Sequence, residues 1–176
     1  MISVSFERHA GEQTMAMLDR IADLYAEIHS ETPSHSDPLF SRSSFITRTS
    51  KQAQAAGFTL ISATKEGGLI GFSFGYPFAP GRWWADSTAP TREILAASKF
   101  AVIELDVQKS HRRQGLGKAL LDRLLADRPE EYATLASIPD SLAHAMYIRW
   151  GWTIAGRIGG EGPEMDAMIV PLADDK

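Results

Sequence analysis

A short basic turn that contains two glycines is the part of this sequence best suited to do chemistry. It runs from His111 to Gly117 and reads HRRQGLG. Glycine has no Cβ, so a ligand can approach its backbone closely and the N–H groups can point at that ligand. The first N–H groups of a helix have no partner inside the helix, and they favour anions, most often phosphates. Two arginines beside such amides would add positive charge and bidentate donors.

The segments on either side of the turn have different hydrophobic periods. Residues 101–107 are rich in Val, Ile and Leu and are bounded by polar residues, which predicts a buried or half-buried strand. From Gly115 onward the apolar residues recur at helical spacing, at Leu116, Ala119, Leu120, Leu124 and Leu125. We therefore expect a strand that ends at the turn and an amphipathic helix that begins there.

Known phosphate-binding patterns do not match the turn. It lacks the Gly-Lys-Ser/Thr ending of a Walker A loop, and it is not the Gly-x-Gly-x-x-Gly fingerprint of dinucleotide-binding proteins. An ordinary solvated basic turn would contain the same residue types. From these residues alone, an anion site and a solvated turn both stay open.

Composition narrows the class of protein. The chain has 176 residues, of which 44% are hydrophobic, and this is enough for one globular domain with a real core. The net charge of −4 argues against a general nucleic-acid binder, which would carry a basic face. The absence of cysteine excludes disulfides, thiol nucleophiles and cysteine zinc sites. Because we find no signal peptide and no long apolar run, we expect a cytoplasmic protein without a nucleic-acid or membrane partner.

The rest of the chain alternates between strand and helix patterns. We predict further strands at residues 2–6, 58–64, 69–78, 132–137, 152–158 and 165–171, and further helices at 14–29, 39–56, 141–150 and, as a short turn, 92–97. We expect Gly57 to end one helix and Asp140 to cap another. Residues 65–68, KEGG, are a strong hairpin signal, and Gly71 and Gly75 would mark a bulge or a close approach. Interleaved helices and strands predict an α/β layered domain with a mixed sheet.

The order Arg112-x-x-Gly115-x-Gly117, after a Leu-Asp-Val strand end, closely resembles motif A of the GCN5-related N-acetyltransferase (GNAT) superfamily. In that family the pattern is Arg/Gln-x-x-Gly-x-Gly/Ala, and its backbone amides hold the pyrophosphate of acetyl-CoA. The resemblance implies acetyl-CoA as the acyl donor. It also implies that the donor is bound by residues of the strand end and the turn, namely Leu105, Val107, Arg112, Arg113, Gln114, Gly115, Leu116, Gly117 and Lys118.

A second segment resembles motif B of the same family, in the style Asn-x-x-Ala-x-x-x-Tyr-x-x-x-Gly-Phe. Ala143, Tyr147 and Gly151 have the matching spacing, whereas Asp140 stands where Asn is usual and Trp152 where Phe is usual. Two such motifs in this order are much more specific than either alone. The resemblance implies the GNAT (acyl-CoA N-acyltransferase) fold, with a mixed, mostly antiparallel central sheet flanked by helices, as a single domain over residues 1–176.

Acetyl transfer to an amine needs a bound donor, a neutral amine, a stabilised oxyanion and a proton for the departing thiolate. By family resemblance, the backbone N–H of Val107 stabilises the oxyanion. Tyr147 is our predicted acid, since a phenol can donate to a thiolate and be restored by solvent. The alternative for Tyr147 is a half-buried aromatic side chain on an amphipathic helix.

Glu104 is our predicted base, because it precedes Val107 by three residues and alternation places it on the same strand face as Asp106. Equally, it could be a charge on a solvated strand face or the partner of a nearby arginine. Asp106 is a poorer candidate for the base. Four further residues have low status as site residues: His144, His29, His35 and Asp37.

We therefore predict an acetyl-CoA-dependent N-acetyltransferase that acts by direct attack in a ternary complex. Its acceptor is a small-molecule or peptide amine that the sequence does not specify, and Arg82, Trp83 and Trp84 either line the acceptor site or only anchor their loop. The alternative is a non-catalytic acyl-CoA-binding sensor or partner module, which would need the turn but neither Glu104 nor Tyr147. No metal constellation is visible in the sequence, and a homodimer is left open.

Overall fold

The computed structural model describes residues 3–31 and 37–172 of the chain. The chain divides into two compact units, unit 1 with residues 1–76 and 104–126, and unit 2 with residues 77–103 and 127–176. The boundaries at residues 76/77 and 103/104 fall inside strands rather than in linkers. The interpretation of residues 1–176 as one domain stays a prediction.

In the described ranges the chain forms six α-helices and seven strands. The helices are α1 Gly11–Ala16, α2 Leu18–Ser30, α3 Arg42–Gln52, α4 Arg92–Ala96, α5 Leu116–Leu125 and α6 Leu142–Arg149. The strands are β1 Ser5–His9, β2 Thr59–Lys65, β3 Gly68–Phe78, β4 Lys99–Val107, β5 Tyr132–Ser137, β6 Thr153–Ile158 and β7 Met165–Pro171. Short 3₁₀ turns occur at Pro38–Phe40 and Lys109–His111. Among these helices, none has both the length and the hydrophobicity to cross a membrane.

The strands follow the order β1-β2-β3-β4-β5-β7-β6 in one sheet. The pairs β1–β2, β2–β3, β5–β7 and β6–β7 are antiparallel, whereas β4 and β5 are parallel. The parallel register runs from Lys99↔Tyr132 to Ala101↔Thr134. The predicted fold class, an α/β domain with a mixed and mostly antiparallel sheet flanked by helices, is confirmed.

The core of unit 1 is aromatic. Tyr25 of α2 stacks on Phe45 of α3 with ring centroids 4.1 Å apart, and Phe45 also contacts Phe72 and Phe74 of β3. All four side chains are buried, and burying a side chain of this size contributes about 1.5–3 kcal/mol. This packing holds one face of α2 against the strands, and that face also carries His29, one helical turn after Tyr25.

Gly71 of β3 lies where three elements of unit 1 approach closely. A Cβ at this position would lie 3.0 Å from the carbonyl oxygen of Asp106 and 3.1 Å from Cδ1 of Leu120 on α5. Ordinary Cβ contacts are longer, so only glycine fits without displacing a neighbour. The predicted close approach at Gly71 is therefore confirmed, and it fixes the distance between β3 and the end of β4.

In unit 2, a buried lysine supports the short helix α4. The ammonium of Lys99 donates to the carbonyl oxygens of Ile94, Leu95 and Ala97 at 3.0, 3.0 and 2.7 Å. Its side chain is fully buried, and the loss of hydration lowers the pKa of Lys99. The three acceptors satisfy all three donors of the ammonium, which is why this charge is tolerated inside the unit.

The two tryptophans of the long loop after β3 also have defined partners in unit 2. The indole N–H of Trp84 donates to Oγ1 of Thr134 at 3.0 Å, and that of Trp83 donates to the carbonyl oxygen of Thr88 at 3.2 Å. These bonds support the view that the tryptophans anchor their loop. The short helical turn predicted at 92–97 is confirmed as α4.

Several predicted element boundaries are wrong. The helix predicted at 14–29 is two helices separated at Met17, whose φ of −112° and ψ of 12° interrupt the helical backbone. The next helix ends at Gln52 with Ala53 as its C-cap, and Gly57, with φ of 80°, belongs to the turn before β2. Residue 2, residues 32–36 of the predicted loop and residues 173–176 of the tail lie outside the described residues.

The predicted N-cap of α6 is also wrong. Ser141 caps this helix, because its hydroxyl accepts the N–H of His144 at 3.0 Å. Asp140 precedes the cap in the left-handed region with φ of 62°. A serine directly after the aspartate offers an equivalent cap one residue later, and the sequence pattern does not discriminate between the two.

Candidate active site

The basic turn begins α5, as the sequence predicts. Gly115 is the N-cap residue with φ of 79°, and Arg113 also has a positive φ, of 61°. A Cβ at Gly115 would meet no atom within 4 Å. No described side chain caps the helix, so the amides of Leu116 and Gly117 have no helical acceptor. The start of α5 therefore presents open backbone donors with room for a guest.

A cleft of about 170 Å³ lies beside these amides. Its lining from the turn and α5 consists of His111, Gln114, Gly115, Leu116 and Ala119, and its lining from the strand side consists of Val4, Phe6, Lys65 and Ile70. Small-molecule pockets usually measure about 300–1,000 Å³, so this cleft suits part of an extended ligand rather than a whole coenzyme. Apolar walls with a positive rim fit a phosphate group attached to a less polar chain.

Two cationic side chains, one in the turn and one at the start of α5, have partners within unit 1. Arg112 donates through Nε to the carbonyl oxygen of Val107 at 2.9 Å, and its Nη2 lies 3.3 Å from Oε2 of Glu31. Lys118 pairs with Asp122 one helical turn later. Arg113 is exposed. The backbone amides, rather than the side chains of Arg112 and Lys118, are thus the donors best oriented for an anion.

The end of β4 carries two half-buried residues, Leu105 and Val107. Beyond the bond from Arg112 to the Val107 carbonyl, the N–H of Gln108 donates to the carbonyl oxygen of Ile70 at 2.9 Å. The peptide that joins residues 107 and 108 is therefore held on both sides. The predicted role of the Val107 N–H toward an oxyanion stays a prediction.

Glu104 and Asp106 converge with two helices on one face of β4. Oε1 of Glu104 lies 3.8 Å from Nη2 of Arg48 on α3, and Oδ1 of Asp106 lies 3.5 Å from Nε2 of His29 on α2. One side-chain atom each of His29, Glu104 and Asp106 lies within 4.8 Å of the other two. The predicted common face of Glu104 and Asp106 is confirmed. Glu104 is also the partner of an arginine, which was the alternative interpretation.

Burial and a like charge change the acidity of this group. Loss of hydration, the negative charge of Asp106 and the hydrogen bond between the two carboxyl groups raise the pKa of Glu104 well above its ordinary value, while Arg48 opposes the rise. Two carboxyl groups this close disfavour each other's ionisation, which is why Glu104 holds its proton more readily than an ordinary glutamate. We call Glu104 and Asp106 the carboxyl pair.

Tyr25 of α2 also belongs to the cluster formed by His29, Arg48 and the carboxyl pair. Its hydroxyl accepts from Nη2 of Arg48 at 2.8 Å. Burial, and then the charge of Glu104, raise the pKa of the Tyr25 phenol above its ordinary value, with Arg48 acting in the opposite direction. The phenol is therefore neutral at physiological pH and serves to orient the guanidinium of Arg48.

The donor types of His29 and the carboxyl pair also occur in metal sites. Here, however, the cation of Arg48 already lies beside the Glu104 carboxylate. We describe the cluster as a proton-sharing group rather than as metal ligands, and the expectation that no metal is bound stays a prediction.

Tyr147, the predicted acid, belongs to unit 2 and lies on α6 as expected. It is buried, and the rings of Trp150 and Trp152 meet it edge-on at centroid distances of 5.9 and 5.8 Å. Gly151 ends the helix with φ of 92°, and the N–H of Trp152 donates to the Tyr147 carbonyl oxygen at 3.0 Å. This geometry fits the spacing of motif B, and the acid role stays a prediction.

The remaining candidates have defined local partners. His144 hydrogen-bonds through Nε2 to Oδ2 of buried Asp166 at 2.9 Å within unit 2. Oδ1 of Asp37 accepts the N–H of Leu39 at 2.8 Å and caps the 3₁₀ turn that follows. His35 lies outside the described residues.

Sequence reasoning missed Tyr25 and Arg48 and ranked His29 and Asp106 low. The i, i+4 spacing of Tyr25 and His29 was a signal that these two side chains lie on one face of their helix. Arg48 carried no signal, because its helix is largely polar and a single arginine there looks solvated.

Known proteins resemble this chain in sequence and in fold. The model of the acetyltransferase (GNAT) family matches residues 18–152. The GCN5-like protein acetyltransferase Rv2170 of Mycobacterium tuberculosis is 33% identical over 120 residues, a match that covers 58% of this chain and 58% of the relative. The chain thus spans less than two thirds of the length of this curated relative.

Solved structures show the same fold. The PaiA N-acetyltransferase of Thermoplasma acidophilum, in complex with coenzyme A, has a TM-score of 0.65 and 13% identity, over 96% of this chain and 99% of that one. Aminoglycoside 6′-acetyltransferase type Ii has a TM-score of 0.66 and 14% identity, over 98% and 99%. Because the family model covers most of the chain, including both predicted motifs, the chain belongs to the acetyltransferase (GNAT) family.

Proposed function

We propose that this protein is an N-acetyltransferase that uses acetyl-CoA, the acyl donor of its family, and that the carboxyl pair is its base. The observation that carries this proposal is the position of Glu104, whose side chain is 17% exposed, beside Asp106, which raises the pKa of Glu104 well above its ordinary value. The open amides at the start of α5 are suited to the pyrophosphate of the donor, because they are backbone donors at the positive end of a helix.

Each proposed residue has one task. The carboxyl pair removes a proton from the acceptor ammonium, and the neutral amine then attacks the thioester carbonyl. The Val107 N–H donates to the oxygen that becomes negative as the new C–N bond forms. Tyr147 gives its phenolic proton to the sulfur as the C–S bond breaks, and the phenol regains a proton from solvent. The nitrogen of the new C–N bond loses its second proton to solvent, so the products are an amide and the free thiol of coenzyme A.

The carboxyl pair also bears on the competing interpretation, a non-catalytic acyl-CoA-binding module. Such a module needs the turn and the start of α5. It has no use for two largely buried carboxyl groups side by side, because the burial of ionisable groups costs free energy without any gain in acyl-CoA binding. The carboxyl pair therefore favours an enzyme.

The acceptor is proposed to be an amine that arrives as a cation. Two carboxyl groups near Arg48 carry at least one negative charge when a single proton is shared, and this charge attracts an ammonium group. The relative in Mycobacterium tuberculosis is named a protein acetyltransferase, so lysine side chains and peptide N-termini belong in the test beside small amines. A cytoplasmic location, and the absence of nucleic-acid and membrane partners, stay predictions.

The test is thiol release from acetyl-CoA in the presence of a panel of small amines, peptides and proteins. We expect release with at least one acceptor class, and a loss of about 10²-fold or more in Glu104→Gln. Glu12→Gln, an exposed glutamate of α1, is the matched control and should behave as the wild type. Tight binding of acetyl-CoA without release by any acceptor would instead support the binding module.

A further inference from the structure

We infer that His29 relays the proton that the carboxyl pair takes from the acceptor, and delivers it to solvent. This inference rests on the proposed function and adds to it one residue that acts through the carboxyl pair rather than on the substrate. A base must lose its proton before the next turnover, and a proton on Asp106, whose side chain is only 8% exposed, needs a neighbour to carry it away. His29 contacts Asp106 on one side and lines a surface cleft on the other.

The inner contact of His29 is Asp106. Nε2 of His29 lies 3.5 Å from Oδ1 of Asp106, and only 8% of the Asp106 side chain is exposed. Glu104 belongs to the same cluster, with atoms of all three residues within 4.8 Å of each other. A proton on Asp106 is therefore adjacent to the imidazole, and a proton on Glu104 reaches it through Asp106.

The outer contact of His29 is a second cleft of unit 1. This cleft of about 230 Å³ is lined by Ala26, His29, Ser30, Asp37, Pro38, Phe40, Ser41 and Arg42. The side chain of His29 is 12% exposed, which gives water access to the ring without uncovering Asp106. One imidazole thus reaches Asp106 on one side and this cleft on the other.

Aromatic neighbours hold the ring in this position. The imidazole packs on Tyr25 at a centroid distance of 4.0 Å and is stacked with Phe40 at 5.4 Å with a 10° interplanar angle. A ring held on both faces keeps Nε2 directed at Asp106. Preorganisation of this kind reduces the reorganisation needed for each proton transfer.

The charges around the cluster give the transfer a direction. On the Glu104 side, Arg48 from α3 lies 3.8 Å away and disfavours extra positive charge, while Tyr25 from α2 is a neutral phenol. On the cleft side, Arg42 is paired with Asp19 and Asp23, and Asp37 contributes a negative charge. These charges favour movement of a proton from the Arg48 side of the cluster toward the cleft.

The proton count closes over one turnover. An N–H bond of the ammonium breaks and an O–H bond forms on the carboxyl pair. That O–H bond then breaks as an N–H bond forms on His29, and the imidazolium gives up a proton to water in the cleft. The carboxyl pair is then in its starting state. Because the proton enters the imidazole at Nε2 and leaves from the other ring nitrogen, the ring must also return to its starting tautomer by proton exchange before the next turnover.

The test compares His29→Gln and His29→Ala with the wild type. Gln places an amide beside Asp106 but cannot carry a proton, so a merely structural histidine would tolerate it. We expect kcat to fall by about 10–100-fold in both variants, with the KM for acetyl-CoA changed less than about twofold. Added imidazole should restore part of the kcat of His29→Ala. His9→Gln, a histidine of β1 that hydrogen-bonds Ser62, is the matched control.

Each outcome decides the matter. Wild-type kcat in His29→Gln overturns the relay, and so does a folded His29→Ala variant that imidazole does not restore. If His29→Ala does not fold, the kcat of His29→Gln still decides. If the wild type itself releases no thiol with any acceptor, the proposed function fails and the relay fails with it. Transfer by the wild type with unaltered histidine variants would remove the relay alone.

Discussion

Arg112 donates through Nε to the carbonyl oxygen of Val107 at 2.9 Å, so the first residue of the glycine motif is tied to the end of the strand before it. The same guanidinium lies 3.3 Å from Glu31 at the C-cap of α2. One side chain of the motif therefore connects the strand end, the turn and the helix that carries Tyr25 and His29. Arg112 holds these elements in position, and the backbone amides of α5 are the groups available to bind the acetyl-CoA donor.

Arg112→Ala should lower kcat by about tenfold, because a loosened strand end misplaces the groups that act on the thioester. Arg113→Ala is the contrasting variant, since Arg113 is exposed and its loss should weaken acetyl-CoA binding with a smaller effect on kcat. Steady-state kinetics with varied acetyl-CoA separates the two effects. Equal losses of kcat in both variants would contradict the positional role of Arg112.

The pH profile of acetyl transfer should report the carboxyl pair. Since the pKa of Glu104 is raised, kcat/KM should increase with pH through an apparent pKa above the ordinary glutamate value of about 4.3. Asp106→Asn removes a negative charge and should move this limb to lower pH. Arg48→Gln removes an opposing cation and should move the limb to higher pH, each by about one unit or more. A limb that stays in place in both variants would exclude the carboxyl pair as the base.

Gly71→Ala should destabilise the protein by about 1–3 kcal/mol, because the added Cβ would press on the Asp106 carbonyl and on Leu120. Gly68→Ala on the same strand is the matched control, since its Cβ would meet only the Lys65 carbonyl oxygen, at an ordinary 3.5 Å. Denaturant unfolding measures both. If Gly71→Ala proves as stable as Gly68→Ala, the close approach is not a constraint on the end of β4.

Tyr147→Phe should lower kcat by about 10–100-fold while leaving acetyl-CoA affinity nearly unchanged, since only the hydroxyl is lost. The phenylalanine ring retains the edge-on contacts with Trp150 and Trp152, so the melting temperature should stay close to that of the wild type. Turnover at the wild-type rate would remove Tyr147 as the acid.

Local patterns were sufficient for much of this molecule. The change from a strand period to a helical period located the junction of β4 and α5, and the glycines at the junction indicated backbone amides that a ligand could approach. The hairpin between β2 and β3 followed from its two glycines in the same way. These features depend on residues close together in the chain, so their physical causes are present in a short window of sequence.

The tertiary structure decided what surrounds Glu104. Alternation along β4 placed Glu104 and Asp106 on one face, but it carried no information on whether that face meets water or protein. Tyr25, His29 and Arg48 reach the face from α2 and α3, and their packing removes the water that would otherwise keep both carboxyl groups ionised. Acidity depends on hydration and on charges in space, and neither is written in the order of residues along one strand.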